Sequence, residues 1–273
     1  MRLTVAVGNR FRSWLLWACF ALVALAGISG CASGPAGAGT DMVTDSDEPD
    51  VRKRARLRLE LAVGYFEQGQ TKVALDEIKQ ALVADPNFAD AYNVRGLVYM
   101  RLNDYGLAEE SFRRAIALNP RDGNLLHNYG WLMCQQGRYA ESVKTFTQAL
   151  ENPTYGARAK TWMTQGLCQI RAGQRNAAEF SLGKAFELDA GNPVTSYNLA
   201  SLLYQRGDFV RAQFYIRRLN DGQLANSESL WLGIKVERRV GNRAAAEQLA
   251  GQLRTRYPKS REAELLERGA FNE

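Results

Sequence analysis

The chain has 273 residues, of which 46% are hydrophobic, 10% aromatic and only 7 are proline. That is enough apolar material for a sizeable packed core, and it excludes a mainly disordered or collagen-like chain. A single histidine leaves little for histidine acid–base relays or multi-histidine metal sites, so no metal, cofactor or small-molecule substrate is expected. The formal charge of +6 includes Arg2, Arg10 and Arg12, which stand in an acid-free stretch. Without residues 1–30, 32 basic residues face 29 acidic ones, spread among each other and not in an aromatic-laced stripe, so nucleic acid is not an expected partner.

In chain order, the basic Arg2, Arg10 and Arg12 precede the apolar run Trp14 to Ala26, followed by small residues, the pattern of an export signal. Gly27, Ser29 and Gly30 cut the run short of the ~20 apolar residues that a membrane-spanning helix needs. A retained anchor helix is the alternative reading.

The tetrapeptide Ile28-Ser29-Gly30-Cys31 resembles the lipobox of bacterial lipoproteins. The resemblance implies cleavage between Gly30 and Cys31, a diacylglycerol on the Cys31 thiol and an acylated amino group. Each buried methylene contributes about 0.8 kcal/mol, so two or three chains make a stable anchor. Ala32 stands where an aspartate marks inner-membrane retention in enteric-type lipoproteins, so the resemblance implies the inner, periplasmic leaflet of the outer membrane. Residues 32–50 are Gly, Ala, Ser, Pro and acid without apolar period, a tether with an r.m.s. span of roughly 25 Å if it behaves as a random coil.

From Val51 onward the chain repeats itself. Gly69, Asn103, Gly137, Gly173, Gly207 and Gly241 stand 34, 34, 36, 34 and 34 residues apart, each between segments with apolar residues at i, i+3, i+4 and i+7. Each unit reads as two amphipathic helices joined where a positive φ is cheap. Small residues recur before the turn (Ala62, Gly96, Gly130, Gly166, Ala200) and after it (Ala74, Ala108, Ser142, Ala178, Ala212, Ala246). Leu61, Tyr99, Phe112, Phe146, Leu182 and Ile216 are expected to fill the space around them. Pro86, Pro120, Pro153 and Pro258 end helices between units.

This pattern resembles the tetratricopeptide family over about residues 55 to 258. The resemblance implies an all-α superhelix of six repeats (about 55–88, 89–122, 123–156, 159–192, 193–226 and 227–258) with a capping helix in 259–273, so that 51–273 form one domain. Leu219, Ile234 and Leu253 replace small residues, which predicts looser or differently angled packing at the C-terminal end, and Pro153-Thr154-Tyr155-Gly156 lengthens one inter-repeat turn. Such arrays line a concave groove with their first helices and hold peptides or proteins there. No phosphate loop, nucleophile elbow or framed carboxylate pair is present, so a binding protein is expected in preference to an enzyme.

By the family pattern the groove is faced by Asn93, Leu97, Met100 and Arg101, by Asn124, His127, Trp131, Cys134 and Gln135, and by Lys160, Met163, Leu167, Ile170 and Arg171. An apolar partner segment is expected there, with Arg101 and Arg171 at the periphery. Trp131, Met163 and Leu167 read equally well as repeat-to-repeat core, and His127 as a hydrogen-bonded structural residue. The cysteines of the repeat region, Cys134 and Cys168, lie in first helices of neighbouring repeats. An oxidising periplasm predicts a disulfide between them, with two buried free thiols as the alternative.

The lipobox, the tether, the six repeats and the strings HNYGWLMCQQGRY (127–139), GLCQIRAGQ (166–174) and NLASLLYQRGDFVRAQFYIRRL (198–219) together resemble the pilotin family of type IV pilus biogenesis lipoproteins. That resemblance implies a lipid-anchored protein whose partner is the type IV pilus secretin, and which brings secretin subunits to the outer membrane for multimerisation. A scaffold for another envelope machine, such as β-barrel assembly or peptidoglycan enzymes, and an envelope hydrolase remain alternatives.

Overall fold

A computed structural model describes residues 48–271. Gly30, Cys31 and most of the expected tether lie outside the described residues. The described residues form thirteen helices and no strand. Six pairs follow one another: α1 (Asp50–Glu67) with α2 (Thr71–Ala84), α3 (Ala89–Arg101) with α4 (Tyr105–Leu118), and α5 (Gly123–Gln135) with α6 (Tyr139–Glu151). The next three are α7 (Arg158–Arg171) with α8 (Arg175–Leu188), α9 (Pro193–Arg206) with α10 (Phe209–Asn220), and α11 (Ser227–Val240) with α12 (Arg243–Arg256). The short α13 (Arg261–Glu267) closes the series. None of these helices is long and apolar enough to cross a membrane.

The turn inside every pair sits on the periodic residue. Gly69, Gly137, Gly173, Gly207 and Gly241 have φ between 74° and 87°, and Asn103, the one non-glycine, has φ 59°. An asparagine tolerates this left-handed region where most side chains do not. Some helix starts carry side-chain caps: Asp104 accepts from the Leu107 amide, Asn192 from Thr195 ahead of Pro193, and Asn226 forms a reciprocal capping box with Ser229.

Within a pair, the small residue before the turn receives the large side chain from the second helix. A methyl group built on Gly96 would come 2.7 Å from the Phe112 ring, one on Gly130 2.9 Å from Phe146, and one on Gly166 2.6 Å from Leu182. These glycines are therefore the holes into which fully buried knobs fit. In the first repeat Ile78 is the knob, 1% exposed, whereas Leu61 is 50% exposed and does not fill the core as the pattern predicted. No described helix precedes α1 to cover the face that carries Leu61.

Each second helix packs against the first helix of the following repeat. First helices also touch the first helices of neighbouring repeats, whereas second helices do not touch one another. The first helices are therefore the inner, concave layer of the array. The last two repeats are not looser at the large residues: Leu219, Ile234 and Leu253 are all buried. The close approach has moved by one residue to Gly233, where a Cβ would meet Asn220 Nδ2 at 2.5 Å.

Candidate partner-binding site

The concave positions on α3, α5 and α7 divide into three kinds. Some are side chains of the inter-repeat core whose edges reach the surface. Leu97 and Met100 pack on Phe112 and Leu132, and Met163 and Ile170 on Leu182 and Leu199. Leu167 is half-buried. Asn93 accepts a 3.0 Å hydrogen bond from Asn128, tying α3 to α5.

Trp131 is also half-buried. Beneath it lies the cluster of Cys134, Phe146 and Cys168, and the two cysteines are joined as a disulfide with a Cα–Cα distance of 5.9 Å. The bond staples α5 to α7, the inner helices of repeats 3 and 4. Above Trp131 the Arg171 guanidinium stands 5.1 Å from the ring centroid while donating a 2.6 Å hydrogen bond to Gln135 Oε1. Arg101 is held likewise over the Phe66 ring and donates to the Phe66 carbonyl. These two arginines are exposed, as peripheral charges would be, and they also cover aromatic surface.

His127 is not a groove residue. It is 6% exposed, its Nδ1 lies 2.8 Å from Thr161 Oγ1, and Thr161 in turn meets the Tyr155 hydroxyl at 2.8 Å. The longer loop before α7 makes this environment: Tyr155 turns inward against Gly123, where a Cβ would sit 2.4 Å from its ring. Burial, reinforced by Lys160, lowers the His127 pKa to about 4, so the ring is neutral near pH 7.

Among these positions the exposed residues are Arg101, Asn124, Gln135, Lys160 and Arg171, all polar and mostly cationic. The groove thus has a half-buried apolar floor and a cationic upper layer, which suits a segment presenting both apolar and acidic side chains. It is less apolar at its surface than the sequence implied.

Residues 59–123 and 111–144 match sequence profiles of the tetratricopeptide repeat. The type IV pilus assembly protein PilF of Pseudomonas aeruginosa is 28% identical over 236 residues, covering 86% of this chain and 92% of the relative. The solved structure of Pseudomonas aeruginosa PilF superposes with a TM-score of 0.72 at 27% identity, over 81% of this chain and 100% of that one. The crystal structure of PilW, described as a widely conserved type IV pilus biogenesis factor, gives 0.68 at 29% identity, over 78% and 97%. The chain is a tetratricopeptide-repeat homologue of PilF and PilW. YrrB, a tetratricopeptide-repeat protein of 15% identity, shares the fold, with a TM-score of 0.56 over 70% of this chain and 97% of that one.

Within this tetratricopeptide-repeat homologue, the reading of the sequence missed the C-terminal part of the concave face. The period that places Trp131 on the inner layer also places Tyr197, Tyr204, Trp231 and Lys235 there, and they surround a cavity of about 440 Å³. Periodicity alone could have found them.

Proposed function

We propose that this protein is a lipid-anchored lipoprotein of the outer membrane that binds subunits of the type IV pilus secretin and promotes their localisation and multimerisation. The observation that carries this reading is the match to PilF along nearly the whole of both chains, together with the Ile28-Ser29-Gly30-Cys31 lipobox. The physical division of labour is simple. Acyl chains on Cys31 supply membrane affinity, residues 32–50 supply reach, and the array supplies the grip. A subunit in transit presents apolar surface, which the floor formed by Leu97, Trp131 and Met163 can receive while Lys160 and Arg171 meet carboxylates. No covalent step is required of the protein.

The test is complementation of a deletion strain, with heated, SDS-resistant secretin multimers and membrane fractionation as readouts. Cys31→Ser should leave the protein outside the outer-membrane fraction and reduce secretin multimers. A Trp131→Ala, Met163→Ala protein with an unchanged thermal midpoint should remain in the membrane yet lose multimers, since truncating a tryptophan hot spot costs ~2 kcal/mol, about thirtyfold in affinity. Wild-type multimer levels in both variants would overturn the reading.

A further inference from the structure

We propose that the concave face of repeats 5 and 6 is a second docking site, for a peptide segment that carries an aromatic side chain beside acidic residues, and that the chain's own Phe271 covers it in the free protein. The site lies outside the groove of repeats 2 to 4, and its recognition chemistry does not depend on which envelope partner uses that groove.

The chain itself shows what the site accepts. After α13, Gly269 takes a φ of 66°, and the Ala270 and Phe271 amides donate to the Leu265 and Gly269 carbonyls at 2.9 and 3.0 Å. This tight turn returns the chain to the inner layer. There the Phe271 ring stacks on Trp231, with centroids 5.3 Å apart and planes inclined by 27°, while the Arg238 guanidinium lies 3.7 Å from its centroid. Trp231 occupies the same repeat position as Met163, and with Phe271 stacked on it only 6% of Trp231 is exposed.

The seat is larger than its cover. Beside Phe271 the cavity of about 440 Å³ continues along Tyr197, Tyr204 and Lys235. The Lys235 ammonium stands 5.5 Å from the Tyr204 ring and 5.6 Å from Trp231, and burial lowers its pKa. Lys235, Arg238 and Arg239 issue from the last two turns of α11, so this end is cationic, whereas Glu228 and Glu262 bound the other. An aromatic ring fits between Trp231 and Arg238, and a carboxylate next to it in sequence meets the cations.

The cover is a weak one. Phe271 is only half-buried, and is held by the stack on Trp231, the cation–π contact with Arg238 and packing on the C-terminal core cluster; the two ring contacts alone favour the closed state by about tenfold or more. A partner segment bringing its own aromatic and a carboxylate can displace it, and the apparent affinity falls by the fraction of protein that is open.

The test uses full chains and the peptide Gly-Ala-Phe-Asn-Glu, the sequence of residues 269–273, with the indole N–H resonance of Trp231 as readout. Phe271→Ala should give a saturable shift with an affinity at least about tenfold tighter than wild type. The shift should vanish with the phenylalanine-free peptide and weaken when Lys235→Glu is added to Phe271→Ala. Equal titration of wild type and Phe271→Ala, or no saturable shift in either, would overturn the proposal. A dimer that Phe271→Ala dissociates would also overturn it, by placing the ring in a second copy.

Discussion

His127 should make the protein sensitive to mild acid. It is the one histidine of the chain, 6% exposed, and its pKa is lowered from 6.5 to about 4 by burial and by Lys160. The folded state thus binds this proton less readily than the unfolded state does. A depressed folded-state pKa means that the stabilising contribution is complete above the unfolded value of 6.5 and is lost as pH falls through the folded value. With one pKa unit equal to about 1.4 kcal/mol, the loss relative to neutral pH reaches about 2 kcal/mol at pH 5 and about 3 kcal/mol below pH 4. The assay is urea denaturation of wild type and His127→Gln between pH 7 and pH 4.5. The variant is less stable near neutrality, because it loses the imidazole contact with Phe146 at 5.6 Å, but the gap between the two proteins should close by about 2 kcal/mol as pH falls. The carboxylates titrate in both proteins and cancel in the comparison. A constant gap across the range would refute the assignment of a buried, neutral imidazole.

Two further outcomes follow from the packing. Removing the Cys134–Cys168 link by a double change to serine should lower stability by about 3 to 4 kcal/mol on the chain-entropy account of a 34-residue separation, with non-reducing mass spectrometry as the prior check that wild type carries no free thiols there. Gly96→Ala should destabilise by about 1 to 3 kcal/mol, because its methyl group would meet the Phe112 ring at 2.7 Å, whereas Gly64→Ala, with nothing within 4 Å, should stabilise by about 1 kcal/mol; thermal midpoints moving the same way would sink the hole-and-knob account.

Most of the fold could be read because the 34-residue spacing couples three physical requirements at once: a left-handed turn residue, a small residue seven before it, and a knob four after the next small position. Residues outside that coupling could not be read. Tyr155 belongs to a loop, where no period applies, yet it is 6% exposed and closes the floor under His127. A periodic argument therefore put His127 in the groove, and a non-periodic neighbour buried it. Leu61 obeyed the period but lacks a preceding described helix to pack against. Ile234 broke the small-residue rule, and Gly233 supplies the close approach one residue earlier. Phe271 lies beyond the repeats altogether, so its return to Trp231 depends on the turn at Gly269, not on any pattern.

The groove residues would serve recognition with the same side chains that serve folding. Leu97, Met100 and Met163 give one part of their surface to the inter-repeat core and leave the rest to the concave face. A change in the angle between repeats would therefore change the groove floor directly. The disulfide sits where this coupling is tightest, stapling α5 to α7 beneath Trp131. By fixing that angle before a partner arrives, it lowers the ordering cost of association and leaves more of the contact energy for affinity. On the binding role proposed above, Arg171 would set the order of events. Its guanidinium covers Trp131 and is itself exposed, so an incoming carboxylate would meet the cation before the ring beneath it. A partner segment with acidic groups would thus reach the tryptophan more readily than an apolar segment without them.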